Sequence, residues 1–167
     1  MTLPPSVDEA IVDLFNEHAR SLVRLARFFV DDRNAAEDLV QEAFLRLHGS
    51  FHRVENRDRA VAYLRSIVLN LARDHNRRGL LSLRHRLPEQ EGPMSVEDRL
   101  VMREDQREVF DALQSLPKRQ RDCLALRYYL NLSPPDIAAT LDLSVNSVKT
   151  HLRRGLDALE ARLEARR

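Results

Sequence analysis

The side chains in this 167-residue chain that are best suited to chemistry make hydrogen bonds and neutralise phosphates. Asn146, Lys149, Thr150, Arg153 and Arg154 follow one another at helical spacing, with Ser147 among them. Amide and guanidinium groups read base edges in a duplex groove, while cations and hydroxyls hold phosphate oxygens. A second set, Ser66, Asn70, Arg73 and Arg77, shares one side of an earlier helical stretch, with Arg78 behind it. Such a row can track a phosphate backbone while Asn70 supplies a directional hydrogen bond. Before it, Phe51-His52-Arg53-Val54-Glu55-Asn56-Arg57 mixes aromatic, amide and cationic groups, a composition suited to an unstacked base. Covalent and metal chemistry find little support. His48 and His52 are four apart with Glu42 nearby, but Gly49 and Ser50 interrupt the spacing, which predicts a loop for both histidines. There is no HExxH pattern, no phosphate-binding glycine loop and no paired acid constellation. No enzyme, cofactor or metal site is expected. The lone Cys123 falls in an apolar-periodic helix and is expected in the core; one cysteine allows no internal disulfide, which fits a reducing cytoplasm.

The elements that must position these groups are helices. Ser133 can cap a short helix, with Pro134 at its first position and Asp136 three residues after the cap. Ile137, Ala138 and Leu141 give that helix one apolar stripe. Ser144 can cap a second helix, along which Val148, Leu152, Leu156, Leu159 and Leu163 recur at helical spacing. Two capped helices about a three-residue turn, the second with a basic, polar face, form a helix-turn-helix signal and point to DNA. The competing reading is an αα-hairpin with a solvated basic face.

Four glycines and 32% charged residues indicate a helix-rich chain of one or two small domains. No apolar run approaches the ~20 residues of a membrane span, and Met1 to Pro5 does not resemble a secretory signal. The net charge of +1 hides its distribution. Residues 1–42 carry −5, 43–86 carry +7, 87–111 carry −5 and 112–167 carry +4. The basic blocks are candidate polyanion surfaces; the acidic ones are not expected to face DNA, and a protein partner is one reason for them. Helical periodicity runs from Asp8 to Val30, from Asn34 to about Leu47, and from Ala60 to Arg77, with Gly79 ending the third helix. Periodicity fails from Leu80 to Met94, where Pro88, Gly92 and Pro93 mark a linker. The expected fold is all-α: two small helical domains, 1–79 and 95–167, joined by a flexible linker over 80–94, with the helix-turn-helix in the second.

The second helix is the piece a simple duplex binder does not need. Its stretch Ala36-Glu37-Asp38-Leu39-Val40-Gln41-Glu42-Ala43-Phe44-Leu45-Arg46-Leu47 resembles the core-polymerase-binding segment of bacterial sigma factors. Ala62-Tyr63-Leu64-Arg65-Ser66-Ile67-Val68-Leu69-Asn70-Leu71-Ala72-Arg73 and on to Arg78 resembles their promoter-melting, −10-reading segment. Leu116-Pro117-Lys118-Arg119-Gln120-Arg121 through Tyr129 resembles the entry to their −35-reading domain. The ordered set covers nearly the whole chain and is similar to the two-domain extracytoplasmic-function (ECF) members of the sigma-70 family. The resemblance implies that Asp38, Gln41 and Glu42 contact core RNA polymerase. It implies that Phe51, Asn56, Tyr63, Asn70, Arg73 and Arg77 hold opened −10 DNA. Arg119, Asn146, Ser147, Lys149, Thr150, Arg153 and Arg154 would then meet the −35 duplex. An anti-sigma protein is the family's usual controller, and the implied place of action is the cytoplasm without membrane insertion. Tyr63 stands where many members have Trp, and Asp142 where many have Gly. The alternative is a stand-alone helix-turn-helix regulator of duplex operators.

Overall fold

The computed structural model describes residues 3–30, 32–83 and 104–167, and every regular element among them is helical. The chain divides into two compact units, Met1–Pro88 and Glu89–Arg167. The first holds α1 (Val7–Phe29), α2 (Arg33–Ser50), a 3₁₀ turn (Phe51–Arg53) and α3 (Arg57–Leu83). The second holds α4 (Glu104–Gln114), α5 (Lys118–Tyr129), α6 (Pro134–Leu141) and α7 (Val145–Ala165).

Caps set where the helices of the first unit begin. Ser6 Oγ accepts from the Glu9 amide at 3.2 Å, and the Glu9 carboxylate accepts from the Ser6 amide at 2.9 Å, a reciprocal box that starts α1. Asp32 starts α2 by accepting from the Asn34 amide at 3.0 Å. Leu14, Leu22, Leu25, Phe28 and Phe29 of α1 then close on Val40, Ala43, Phe44 and Leu47 of α2 and on Leu64, Ile67, Val68, Leu69 and Ala72 of α3. The Phe15 ring meets Phe44 edge-on at 5.1 Å yet stays 44% exposed, so it lies at the rim of this core.

Two boundaries differ from expectation. Helix α2 runs through Gly49 to Ser50, so His48 lies in its last turn, where its ring pairs with Asp8 at 2.8 Å; it is not on a loop. Helix α3 passes Gly79 and reaches Leu83, so residues 80–83 are helical and not linker. A glycine inside a helix costs about 1 kcal/mol without forbidding it, and Leu80, Leu81 and Leu83 favour helix. The rest of the expected linker, 84–94, and the start expected near Ser95 lie outside the described residues.

In the second unit, Ala112, Leu116, Cys123, Leu124, Leu126, Ile137, Leu141 and Val148 form the core. Burial pushes the Cys123 thiol up to about 11, with Asp122 adding to the effect. Leu156 is 41% exposed and leaves the predicted stripe of α7; the buried position there is Gly155, where α7 crosses α5. A Cβ at Gly155 would stand 3.0 Å from Leu124 Cδ1, so Leu124 would have to shift by a few tenths of an ångström to admit a methyl group.

Candidate nucleic-acid and protein-binding surfaces

The acidic face of α2 follows from its register. Ala36, Val40, Ala43 and Leu47 turn inward, which leaves Asp38, Gln41 and Glu42 exposed in one row. Leu45 continues that row and is 69% exposed. The sequence reading passed over it; its signal was an apolar side chain lying off the buried stripe of its own helix. Glu42 accepts from Arg46 Nε at 3.1 Å, and Glu37 from Arg33 Nε at the same distance. Exposed pairs of this kind hold by only about 0.3–0.5 kcal/mol, so they release a side chain to a partner at little cost. Asp38 has no ion pair among the described residues.

Between α2 and α3 the chain makes one 3₁₀ turn, closed by Val54 N–H donating to the Phe51 carbonyl at 3.0 Å. Phe51 is half-buried. Asn56 accepts from the Arg59 amide at 2.9 Å through its side-chain oxygen, and its carbonyl receives the Ala60 amide. That makes Asn56 the cap of α3, with its amide NH₂ left as the group that can meet a base. Tyr63, 40% exposed, stands on the next turns of α3, and Asn70 is exposed farther along. Arg73, half-buried, donates from Nη1 to Asn70 Oδ1 at 3.2 Å, which holds the two side chains together. Arg77 lies one turn beyond Arg73 on α3, and its side chain is outside the described residues. Against α1, Arg57 bonds to Glu17, and burial lowers the His18 pKa from 6.5, with Glu17 opposing and Arg65 and Arg57 reinforcing the shift. His18 therefore stays neutral at physiological pH.

The turn of the helix-turn-helix is built as its residue types suggest. Ser133 accepts from the Asp136 amide at 3.3 Å, and Asp142 takes the left-handed conformation, φ 54° and ψ 50°, which short polar side chains tolerate. Pro134 and Pro135 sit in the first turn of α6, where no intrahelical N–H is needed. Ser144 Oγ accepts from the Ser147 amide at 3.1 Å and donates to Ser147 Oγ at 2.9 Å. Thr150 Oγ1 donates to the Asn146 carbonyl at 3.0 Å and so faces outward only as an acceptor. Val148 is buried, and Asn146, Lys149 and Arg153 are exposed along one line, with Arg154 exposed beside them. Arg119, half-buried, stands in the first turn of α5. Arg127 Nη1 holds the Leu132 carbonyl at 2.9 Å, and Arg162 Nη2 holds the Ser115 carbonyl at 3.2 Å. These two arginines thereby tie α5 to the segment before α6, and α7 to the end of α4.

Known proteins share this arrangement. Residues 14–79 match the family model described as Sigma-70 region 2, and residues 106–159 match Sigma-70, region 4. The chain is 32% identical over 157 residues to the RNA polymerase sigma-E factor of Streptomyces avermitilis, covering 91% of this chain and 86% of that protein. It is 28% identical over 167 residues to the ECF RNA polymerase sigma factor SigX of Bacillus subtilis, covering 95% and 86%. Among solved structures, CnrH, in complex with the cytosolic domain of CnrY, aligns with a TM-score of 0.70 and 25% identity over 93% of this chain and 88% of that one. A stand-alone operator-binding regulator would leave the region 2 match over α1 to α3 without a purpose. With both regions present in order, this chain belongs to the sigma-70 family and is an ECF sigma factor, a transcription initiation factor of RNA polymerase.

Proposed function

We propose that the two units divide the work of initiation between one protein surface and two DNA surfaces. In this reading Asp38, Gln41 and Glu42, with Leu45 beside them, dock on core RNA polymerase. Phe51, Asn56 and Tyr63 receive an unstacked base of the −10 element, and Asn70, Arg73 and Arg77 hold the opened strand. Asn146, Lys149 and Arg153 read −35 base edges, Ser147 contributes through its hydroxyl proton and Thr150 as an acceptor, and Arg119 and Arg154 meet phosphates. The factor carries out no covalent chemistry, needs no cofactor and works in the cytoplasm.

The observation that carries this reading is the sorting of charge by face. The outward row of α2 is acidic, whereas the outward rows of α3 and α7 carry amides and cations. An acidic strip would repel phosphates, so it fits a protein surface with basic groups. Leu45 supplies the apolar anchor that such an interface needs. CnrH has been solved with the cytosolic domain of a second protein, and we extend this to a protein of anti-sigma type that competes for the α2 face.

Charge reversal tests the core surface directly. Asp38→Lys with Glu42→Lys should weaken holoenzyme assembly at least tenfold, because like charges across an interface cost several kcal/mol. The helices should persist, since both side chains are exposed and lysine favours helix. Unchanged core binding by the folded double variant would remove α2 from the interface.

A further inference from the structure

Helix α1 carries a charge pattern that neither its packing nor its caps explain. Asp8, Glu9, Asp13 and Glu17 occupy its first half, and Arg20, Arg24 and Arg27 its second. All three arginines are exposed, and spacings of four and three put them in one row. The helix dipole favours a cation in the last turn, which accounts for Arg27 alone, because the effect fades within one turn. Arg20 and Arg24 lie in the middle of the helix, four apart, where like charges oppose helix formation. Local pairing does not offset this. Glu17, the acid nearest to Arg20, is taken up by Arg57 of α3. No acid lies within four residues of Arg24, and neither arginine has an ion pair among the described residues.

The place of the row gives it a use. The Glu17–Arg57 bond and the fields of Arg57 and Arg65 at His18 set the start of α3 beside this part of α1. Arg57 follows the cap residue Asn56, so the first turns of α3 meet α1 at Glu17 and His18, and the arginine row begins at Arg20, the next turn of α1. The large apolar side chains that α1 exposes, Val7, Val12 and Phe15, all lie in its acidic half. The arginine row therefore lacks the apolar anchor of a protein interface and has the composition of a phosphate track.

We infer that Arg20 and Arg24 form a phosphate-holding strip on α1 that carries promoter DNA beside α3 through its sugar–phosphate backbone, without reading bases. The inference rests on the reading of α3 as the −10 surface, and its test separates the two. Holoenzyme reconstituted with full-length Arg20→Ala/Arg24→Ala is titrated with promoter DNA between 50 and 200 mM salt, beside wild type, Arg20→Lys/Arg24→Lys and Arg73→Ala. Loss of two phosphate contacts should flatten the log–log salt slope by about 1.4 to 1.8. Over that fourfold range the salt penalty then shrinks about ten-fold. The flattening should be equal on a template with a scrambled −10 element, and the lysine pair should restore the wild-type slope. An unchanged slope overturns the inference, and so does weakened core binding, which would assign the row to an acidic protein surface. If Arg73→Ala leaves promoter opening intact while the alanine pair still flattens the slope, the α3 reading fails and the α1 strip stands.

Discussion

The same substitution, glycine to alanine, should have opposite signs at Gly155 in two backgrounds, and the reason is the crossing of α5 and α7. Alanine is better than glycine inside a helix by about 0.8–1.0 kcal/mol. At Gly155 the added methyl would meet Leu124 Cδ1 at 3.0 Å, Leu124 Cγ at 3.2 Å and Gln120 Cβ at 3.4 Å. Leu124 is 2% exposed, so its branch point has little room to retreat, and overpacking of this kind costs about 1–3 kcal/mol. The expected net effect is a loss of about 0–2 kcal/mol from the second unit. Leu124→Ala alone should cost about 2–5 kcal/mol through lost burial and a cavity. With Leu124 already shortened, the methyl of Gly155→Ala enters free space and the propensity gain stands alone, about 1 kcal/mol of stabilisation. The chain divides into two compact units, so the assay is native-state hydrogen exchange read on the amides of α5 and α7, which reports on the second unit by itself. Equal effects of Gly155→Ala in the wild-type and Leu124→Ala backgrounds would show that the two side chains do not compete for space. Gly49, with nothing within 4 Å of its Cβ position, is the control: alanine there should not destabilise α2 in either background.

Promoter opening should separate melting from plain attraction. Arg73→Ala with Arg77→Ala should impair transcription more from a linear duplex than from a pre-opened bubble, in which an unpairing cost of a few kcal/mol per base is already met; equal losses would assign these residues to general electrostatics. In a −35 library, Lys149→Ala or Arg153→Ala should relax one position at a cost of about 1–3 kcal/mol, whereas Arg154→Ala should weaken all sequences alike. Wild-type preference in both of the first two variants would misplace the reading face. Asp142→Gly should stabilise the second unit by about 0.5–1 kcal/mol by relieving a left-handed backbone, read as slower exchange at the α6 amides; no change would mean the turn is unstrained. The Cys123 thiol, titrating near 11, should resist alkylation at pH 8 in the native chain and react only as pH rises toward that value or the unit opens; fast labelling at pH 8 would contradict its burial.

Local chemistry made the helix-turn-helix legible before any coordinates. Ser133, Asp142 and Ser144 each have a backbone preference that depends on a few neighbouring atoms, and each takes the role its type suggests. Positions set by packing were harder to read. Leu156 has the spacing of a core residue, yet α7 turns Gly155 toward α5, because close approach of two helices rewards the smallest residue and not the most apolar one. The ends of α2 and α3 are hard to read for a related reason: Gly49 and Gly79 have the residue type of a breaker, although one glycine weakens a helix without stopping it. Block averages of charge concealed Arg20 and Arg24, since the acids of residues 1–42 outweigh them in a sum but lie on other stretches of surface.

Hydrogen bonding within α7 narrows what its recognition face can do. Spacing alone makes Asn146, Ser147, Lys149, Thr150 and Arg153 equal candidates. In the structure Ser147 both donates its amide to Ser144 and accepts the Ser144 hydroxyl, so its side chain helps to close the cap. Thr150 has already given its proton to the Asn146 carbonyl. Neither retains the full donor–acceptor freedom that a base edge with a mixed pattern would demand. Asn146 keeps both its donor and its acceptor, and Lys149 and Arg153 keep their donors; the three stand in line on the exposed side while Val148 anchors the opposite side in the core. An asparagine can make two hydrogen bonds to N6 and N7 on the major-groove edge of adenine, and lysine and arginine both suit guanine. Purine contacts from these three residues should therefore dominate −35 preference. Substitution of Thr150 by Val, which keeps the shape and removes the acceptor, should change that preference far less than Asn146→Ala; the reverse order in a promoter library would mean that the hydroxyl leaves its backbone partner on DNA.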